Sequence, residues 1–171
     1  MTASFTSHYI RTSAEVISSL ERQQAQIEDV ASLLVKVITD GGRIYTCGNG
    51  GSSCDSMHFV EELVARYKRE RPGIPAHHLL DASVMSCWSN DYSYEGVFAR
   101  QVETLLTERD ALVVFSTSGN SANIVQALRS ASTVGATTIA LLGRDGGSAR
   151  PLADHAIVVA SEVTSQIQEA H

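Results

Sequence analysis

The chain has 171 residues, a length that fits one domain of ordinary size. Hydrophobic residues make up 43% of it and charged residues 19%, so the chain can form a core and is not expected to be disordered. Thirteen Lys and Arg residues against nineteen Asp and Glu residues give a formal net charge of -6. This sign argues against a general nucleic-acid-binding protein, which needs a basic surface.

The cysteines and the lengths of the apolar runs indicate in which cellular compartment the protein is found. The first dozen residues hold no apolar run of the length that a signal peptide needs, and nowhere do about eighteen apolar residues follow one another. Cys47, Cys54 and Cys87 lack a CxxC spacing, which fits free thiols in a reducing compartment better than disulfides or a structural zinc site. We therefore expect a soluble, cytoplasmic protein.

Residues 1–40 are predicted to be helical. Apolar side chains recur there mostly at spacings of three or four residues, which places them on one helical face. The pattern is interrupted near residues 23–26, so two helices are expected, and the Asp-Gly-Gly of residues 40–42 ends the second one. We expect this N-terminal segment to precede an α/β domain of residues 41–171 within one compact unit.

After residue 40, short apolar runs alternate with helical patterns. Strands are predicted at residues 43–47, 76–80, 111–115, 137–142 and 155–160, and helices at residues 52–67, 94–106 and 121–132, with a further helix from Thr164. The strand runs are continuous rather than alternating, as in strands buried on both faces. The predicted fold is therefore α/β, a three-layer αβα sandwich around a parallel sheet.

Ligands of open parallel sheets collect at the carboxyl ends of the strands, beside the starts of the following helices. The loop after the third predicted strand contains Ser116, Thr117, Ser118 and Ser121 directly before a helix. Hydroxyls and backbone amides that converge on a helix start suit a phosphate monoester. The alternative is a plain N-cap, but one polar residue suffices for that, and here small residues fill the whole loop.

The loop after the first predicted strand contains Asn49, Gly50 and Gly51 and also leads into a helix. Its glycines let the backbone approach a ligand closely. A dinucleotide fingerprint would need a third glycine where Ser53 stands, so nicotinamide binding is not predicted. A tight turn is the alternative, but it does not require Asn49.

The next helix carries His58 and Glu62, one turn apart on the same face. Such a pair can bind a divalent metal ion, or it can place a base beside an acid. Since Asp55 and Glu61 lie in the same helix, a solvated acidic face is the alternative.

Two further polar clusters carry weaker signals. Asn90 and Asp91 precede a predicted helix and fit an Asx turn and N-cap. Gln168 and His171 lie on one face of the last predicted helix, where they can meet a ligand or face solvent.

Several of these stretches occur together in a known family. The matching segments are CGNGGSSCDSMHFVEEL (47–63), RYKRERPGIP (66–75), SNDYSYEGVFARQVE (89–103), STSGNSANIVQAL (116–128), LLGRDGGSARPLAD (141–154) and IQEAH (167–171). In these segments, and in their order, the chain resembles the sugar isomerase (SIS) family and, within it, the phosphoheptose isomerases. Together they span nearly the whole chain after residue 40.

The resemblance implies an isomerase that converts sedoheptulose 7-phosphate to D-glycero-D-manno-heptose 7-phosphate through an enediol. This reaction is the first step toward the ADP- or GDP-heptoses of bacterial cell surfaces, including lipopolysaccharide. The resemblance also implies a Zn²⁺ cofactor and a homotetramer whose sites are completed by neighbouring subunits.

The resemblance assigns roles to residues of this sequence. Phosphate contacts fall to Ser116, Thr117, Ser118 and Ser121, and sugar contacts to Asn49, Gly50, Gly51, Asn90 and Asp91, with further substrate contacts from Glu62 and Gln168. The zinc ligands are His58, Glu62 and Gln168, and Glu62 is also the catalytic base.

The chain departs from the family pattern near its C-terminal end. The family has a second histidine, a zinc ligand and partner acid or base, eight residues beyond the glutamine of the IQE motif. Here that position would be 176, whereas the sequence ends at His171. Either the natural product has a further C-terminal helix, or this protein has lost part of its site. We expect the former, because a helix begun at Thr164 and cut after two turns buries little. Ser165 stands where some relatives carry an acid.

A non-catalytic SIS protein that binds a partner, of the type that associates with the replication initiator, is the alternative function. Such relatives tend to lose the glutamate of the HxxxE motif and to alter the STSGNS loop. This chain keeps both, which favours the enzyme.

Overall fold

The computed structural model describes residues 4–171 and contains a five-stranded sheet in which all neighbouring strands are parallel. The strands are β1 Ile44–Gly48, β2 Ala76–His78, β3 Ala111–Ser116, β4 Thr137–Gly143 and β5 His155–Val159. Their order is β2-β1-β3-β4-β5, so the direction of strand addition switches between β1 and β3. All five predicted strands are confirmed, with the second one ending two residues early.

Helices pack around this sheet. They are α1 Phe5–Ser19, α2 Gln24–Thr39, α3 Gly51–Val64, α4 Ala82–Asp91, α5 Val97–Leu105, α6 Ala122–Val134 and α7 Thr164–Ala170. A 3-10 turn at Leu20–Gln23 separates α1 from α2, which confirms two N-terminal helices with a break just before the predicted place. Within residues 4–171, no helix combines the length and the apolar character needed to cross a membrane.

The sheet is covered on both faces because the side chains of β3 alternate between them. Leu112 and Val114 pack on one face with Phe98 of α5. Val113 packs on the opposite face with Val30 of α2. All five side chains are at most 7% exposed. This arrangement confirms the predicted three-layer αβα sandwich with a helical N-terminus.

Helix α4 was absent from the sequence-based prediction. It begins at the N-cap Asp81, whose carboxylate accepts a hydrogen bond from the Val84 amide at 2.8 Å. Asn90 and Asp91 therefore lie in its last turn, and the prediction that they form an Asx turn and N-cap before a helix is wrong. No residue of α4 is fully buried, and only Met85 and Trp88 pack against the core from this helix, so the apolar stripe that would reveal it is short.

The predicted helix at residues 52–67 ends earlier, at Val64. The guanidinium group of Arg71 donates hydrogen bonds to the backbone carbonyls of Glu62 and Leu63, the latter at 2.7 Å. These bonds satisfy carbonyls that lack an intrahelical partner at a helix end, and the Leu63 carbonyl also accepts a hydrogen bond from the Ile74 amide at 3.0 Å. The chain can therefore turn away there. The predicted helix at residues 94–106 likewise begins as a 3-10 turn and continues as α5.

A buried carboxylate anchors the start of β3. Asp110 is 5% exposed and accepts hydrogen bonds from the Arg43 amide at 2.7 Å and from the amide and hydroxyl of Thr107, both at 2.8 Å. It joins the turn before β3 to the residue before β1. The carboxylate thereby satisfies donors that would otherwise lack a partner in the interior.

Replacing Asp110 by Ala should lower the free energy of unfolding by about 2–3 kcal/mol, because a charged acceptor of buried hydrogen bonds is lost. Urea unfolding followed by circular dichroism measures the change. The control is Asp40→Ala, which removes only an exposed pair with Lys36 and should cost less than about 1 kcal/mol. Equal losses in the two variants would contradict an anchoring role.

Candidate active site

The loop of residues 49–51 joins β1 to α3 at the carboxyl edge of the sheet. Gly50 has a φ of 56°, in the left-handed region that favours glycine. Gly51 lies against the side chain of Gln168, and a Cβ at Gly51 would overlap the Gln168 amide. Glycine at this position therefore lets α7 bring Gln168 up to the loop.

The loop of residues 116–121 leads from β3 to Ser121, the N-cap residue of α6. The Ser121 side chain makes no capping hydrogen bond, so the plain N-cap alternative is not what the structure contains. The Ser116 and Ser118 hydroxyls accept hydrogen bonds from backbone amides of the loop, at 3.1 and 3.2 Å. Because a hydroxyl also donates, each keeps a proton for an anion, and Thr117 lies half-buried between them.

The turn of residues 145–148 supports this loop, a role that sequence reasoning missed. The Asn120 side chain accepts hydrogen bonds from the amide and the hydroxyl of Ser148, both at 2.9 Å. A Cβ at Gly119 would overlap the Gly146 carbonyl, so the two loops are in backbone contact. The paired glycines after β4 are the signal in the sequence that points to this contact.

His58 and Glu62 lie together on α3, as their spacing predicts. The Nε2 atom of His58 is 3.3 Å from Oε1 of Glu62. Glu61 offers a carboxylate oxygen as a third potential metal ligand. One ligand atom from each of the three side chains lies within 4.8 Å of the others. Imidazole nitrogen and carboxylate oxygen at these distances suit a divalent ion such as Zn²⁺.

Gln168 lines the same cavity as His58 and Glu62, which has a volume of about 630 Å³. Asp55 and Phe115 also line this cavity. Burial raises the pKa of Asp55, while the charge of His58 lowers it by a smaller amount. The Oδ2 atom of Asp55 is buried and has no hydrogen-bond partner within residues 4–171.

His171 lies where this cavity meets a smaller apolar one beneath α2. Burial lowers the pKa of its imidazole, so the neutral form is favoured. Its ring meets Phe115 edge-on, with the centroids 6.2 Å apart. In this structure His171 therefore packs as a neutral aromatic ring.

The sugar-contact candidates approach one another through side-chain amides. Asn49 exchanges two hydrogen bonds with Asn123 of α6, at 2.8 and 2.9 Å, and accepts a third from the Tyr94 hydroxyl at 2.9 Å. The side chains of Asn90 and Asp91 are exposed and bond to each other at 2.7 Å. Through Tyr94, the segment after α4 thus contacts the loop of residues 49–51, which follows β1 and is called the β1 loop below.

Within one chain, the candidate residues form two groups. His58, Glu62 and Gln168 share the wall of the 630 Å³ cavity, whereas residues 49–51 and 116–121 lie outside its lining. The contact between Gln168 and Gly51 connects the two groups.

Helix α1 holds α7, the helix that carries Gln168. The Thr12 hydroxyl accepts a hydrogen bond from Nε2 of Gln166 at 2.8 Å. The Tyr9 hydroxyl donates to Oε1 of Glu169 at 2.9 Å. Sequence reasoning missed these contacts because they join residues more than 150 positions apart and leave no local pattern.

Sequence comparison identifies the family. Residues 8–143 match the SIS domain family. A phosphoheptose isomerase of Helicobacter pylori (strain P12) is 47% identical over 154 residues, which cover 90% of this chain and 80% of that protein. A phosphoheptose isomerase of Vibrio cholerae serotype O1 is 48% identical over 148 residues, which cover 86% and 78%. The chain therefore belongs to the SIS domain family.

Structural comparison agrees. The structure of phosphoheptose isomerase GmhA from Neisseria gonorrhoeae matches with a TM-score of 0.90 and 32% sequence identity. The match covers 96% of this chain and 89% of that one. Both comparisons group the chain with the phosphoheptose isomerases, as its motifs predict.

Replacing Tyr9 by Phe should loosen α7, because it removes a hydrogen bond between α1 and that helix. We expect amide hydrogen exchange in α7 to become about tenfold faster, with little change in the sheet. Mass spectrometry of peptides that cover residues 164–170 measures the effect. Tyr92→Phe is the control, since that ring stacks on Trp88 of α4. Unchanged exchange in Tyr9→Phe would show that the Tyr9 hydroxyl does not contribute to holding α7.

Proposed function

We propose that this chain is a phosphoheptose isomerase, which converts sedoheptulose 7-phosphate to D-glycero-D-manno-heptose 7-phosphate through an enediol. The names of relatives at 47% and 48% identity support this activity. The observation that carries the proposal is the Glu62 carboxylate, which lies 3.3 Å from His58 in a cavity that Gln168 also lines.

The phosphate of the substrate is proposed to bind Ser116, Thr117, Ser118 and Ser121. Their hydroxyls can donate to its oxygens, and the start of α6 favours a dianion. The Ser121 side chain supports this role, because it makes no capping hydrogen bond and its hydroxyl remains available to a ligand.

The sugar chain is proposed to contact residues 49–51 together with Asn90 and Asp91. The glycines allow the substrate to approach the backbone. The hydrogen bond from Tyr94 to Asn49 supports this grouping, since it ties the segment that follows Asp91 to the β1 loop.

Glu62 is proposed as the base. Isomerisation of a 2-ketose to an aldose removes a proton from C1 and delivers one to C2, so a single carboxylate can accept the first proton and donate the second. His58 lies beside it to orient the carboxylate. Gln168 offers an amide donor to the substrate oxygens from the same cavity wall.

His58, Glu62 and Gln168 are proposed as ligands of Zn²⁺, with Glu61 close enough to contribute. The cluster of His58, Glu61 and Glu62 ligand atoms within 4.8 Å supports the fit. When bound, the ion would supply positive charge that stabilises negative charge on the substrate oxygens.

A homotetramer whose sites are completed by neighbouring subunits is part of the proposal. Large apolar side chains on the N-terminal helices support it, because Phe5 is 82% exposed and Ile10 and Val35 are each 63% exposed. Apolar surface of this kind is typical of protein interfaces. The division of the candidate residues into two groups within one chain is also consistent with shared sites.

We place the reaction in the cytoplasm, on the path to bacterial surface heptoses, including those of lipopolysaccharide. Cys47, Cys54 and Cys87 are all free thiols, as expected in a reducing compartment. Burial raises the pKa of the Cys47 thiol, which keeps it protonated and unreactive.

Replacing Glu62 by Gln should reduce turnover of sedoheptulose 7-phosphate by about a thousandfold, because the amide cannot accept the C1 proton. Binding of inorganic phosphate, measured by calorimetry, should stay unchanged. The control is Glu103→Gln on α5, where the carboxylate bonds to Ser130. Wild-type turnover in Glu62→Gln would contradict the assignment of the base.

Removing the metal should abolish turnover, and Zn²⁺ should restore it. We expect His58→Ala to weaken Zn²⁺ binding by about a hundredfold, as measured by competition with a chromogenic chelator. His8→Ala on the exposed side of α1 is the matched control and should bind as the wild type does. Equal zinc affinity in the two variants would rule out His58 as a ligand.

A further inference from the structure

Asn123 is a buried amide whose partner lies in the proposed sugar-binding loop. It is the second residue of α6 and is 3% exposed. Nδ2 of Asn49 donates to its Oδ1 at 2.8 Å, and its own Nδ2 donates to Oδ1 of Asn49 at 2.9 Å. The two side chains form a closed pair that links the β1 loop directly to the helix start behind the 116–121 loop.

Tyr94 makes the third side-chain hydrogen bond to Asn49. Its hydroxyl donates to the same Oδ1 atom at 2.9 Å. Both lone pairs of that oxygen are then occupied, and one of the two Nδ2 protons is used. Asn49 therefore retains a single N–H, so it can offer a ligand a donor and no acceptor.

We propose that Asn123 and Tyr94 are positioning residues that hold the free N–H of Asn49 toward a hydroxyl oxygen of the sugar chain. The inference rests on the proposed function. Asn123 emerges from the same helix start that is proposed to bind the phosphate. The closed amide pair therefore fixes how far the sugar contact lies from the phosphate, and it selects sugar phosphates with an oxygen at that distance.

The chemistry of the pair favours positioning over a purely structural role. An Asn in the first turn of a helix commonly bonds to nearby backbone, which satisfies it locally. Here the partner is a side chain 74 positions away in the sequence, in the loop that also contacts Gln168 through Gly51. An effect on the ligand should therefore pass through Asn49.

A double-mutant cycle tests this coupling. Asn123→Leu keeps the number and branching of the side-chain heavy atoms and removes both hydrogen bonds, and it should weaken binding of sedoheptulose 7-phosphate about tenfold. Asn49→Ala should weaken it to a similar degree. The double variant should bind no more weakly than Asn49→Ala alone, because the two residues act as one unit. Calorimetry on the zinc-loaded protein measures all four affinities.

Inorganic phosphate separates positioning from damage to α6. The affinity for inorganic phosphate should be the same in Asn123→Leu and in the wild type, because this ion is expected to contact only the loop of residues 116–121. Gln126→Leu, one turn further along α6, is the matched control and should leave both affinities unchanged, since its amide reaches only Glu95 at 3.5 Å. Should Asn123→Leu fail to fold, Asn123→Ala replaces it, because it removes both hydrogen bonds to Asn49 without placing a charge beside the proposed phosphate site.

Additive losses in the double variant, native affinity for the sugar phosphate in Asn123→Leu, or a parallel loss of phosphate binding would each overturn the inference. Turnover recorded in the same samples tests the proposed function separately. A wild-type chain that binds the sugar phosphate without converting it would contradict the isomerase while leaving the coupling intact. A wild-type chain that does not bind it would contradict both.

Discussion

The parallel register between β1 and β3 is the constraint on which the candidate site depends. It pairs Gly48 with Phe115, so the two strands end at the same level of the sheet. The loops of residues 49–51 and 116–121 therefore begin side by side, where the order of the strands switches direction. Backbone hydrogen bonds in the core thus bring the proposed sugar and phosphate contacts together before any side chain takes part.

The second part of the site depends on elements that are distant in the sequence. Gln168 reaches the β1 loop because Gly51 has no side chain to obstruct it. Helix α7, which carries Gln168, is held in turn by Tyr9 and Thr12 of α1. The N-terminal segment therefore shapes the site although it contributes none of the proposed ligands.

The sequence predicts the sheet well because buried strands appear as continuous apolar runs, as Ala111–Ser116 does. It also predicts the His58–Glu62 pair, since helical spacing alone places these side chains together. Helix α4 escapes prediction because it buries no residue fully. The bonds of Asn49 to Asn123 and Tyr94 also escape, because hydrogen bonds across 74 and 45 positions leave no periodic pattern. Local periodicity encodes elements, whereas long-range polar contacts require the folded chain.

Isomerisation in deuterium oxide tests the central claim most directly. The zinc-loaded chain is incubated with sedoheptulose 7-phosphate, and the product is followed by nuclear magnetic resonance. Proton transfer by the Glu62 carboxylate predicts a heptose 7-phosphate aldose that carries solvent deuterium at C2, because a carboxyl proton exchanges with solvent. A folded, zinc-loaded chain that forms no aldose would contradict the account.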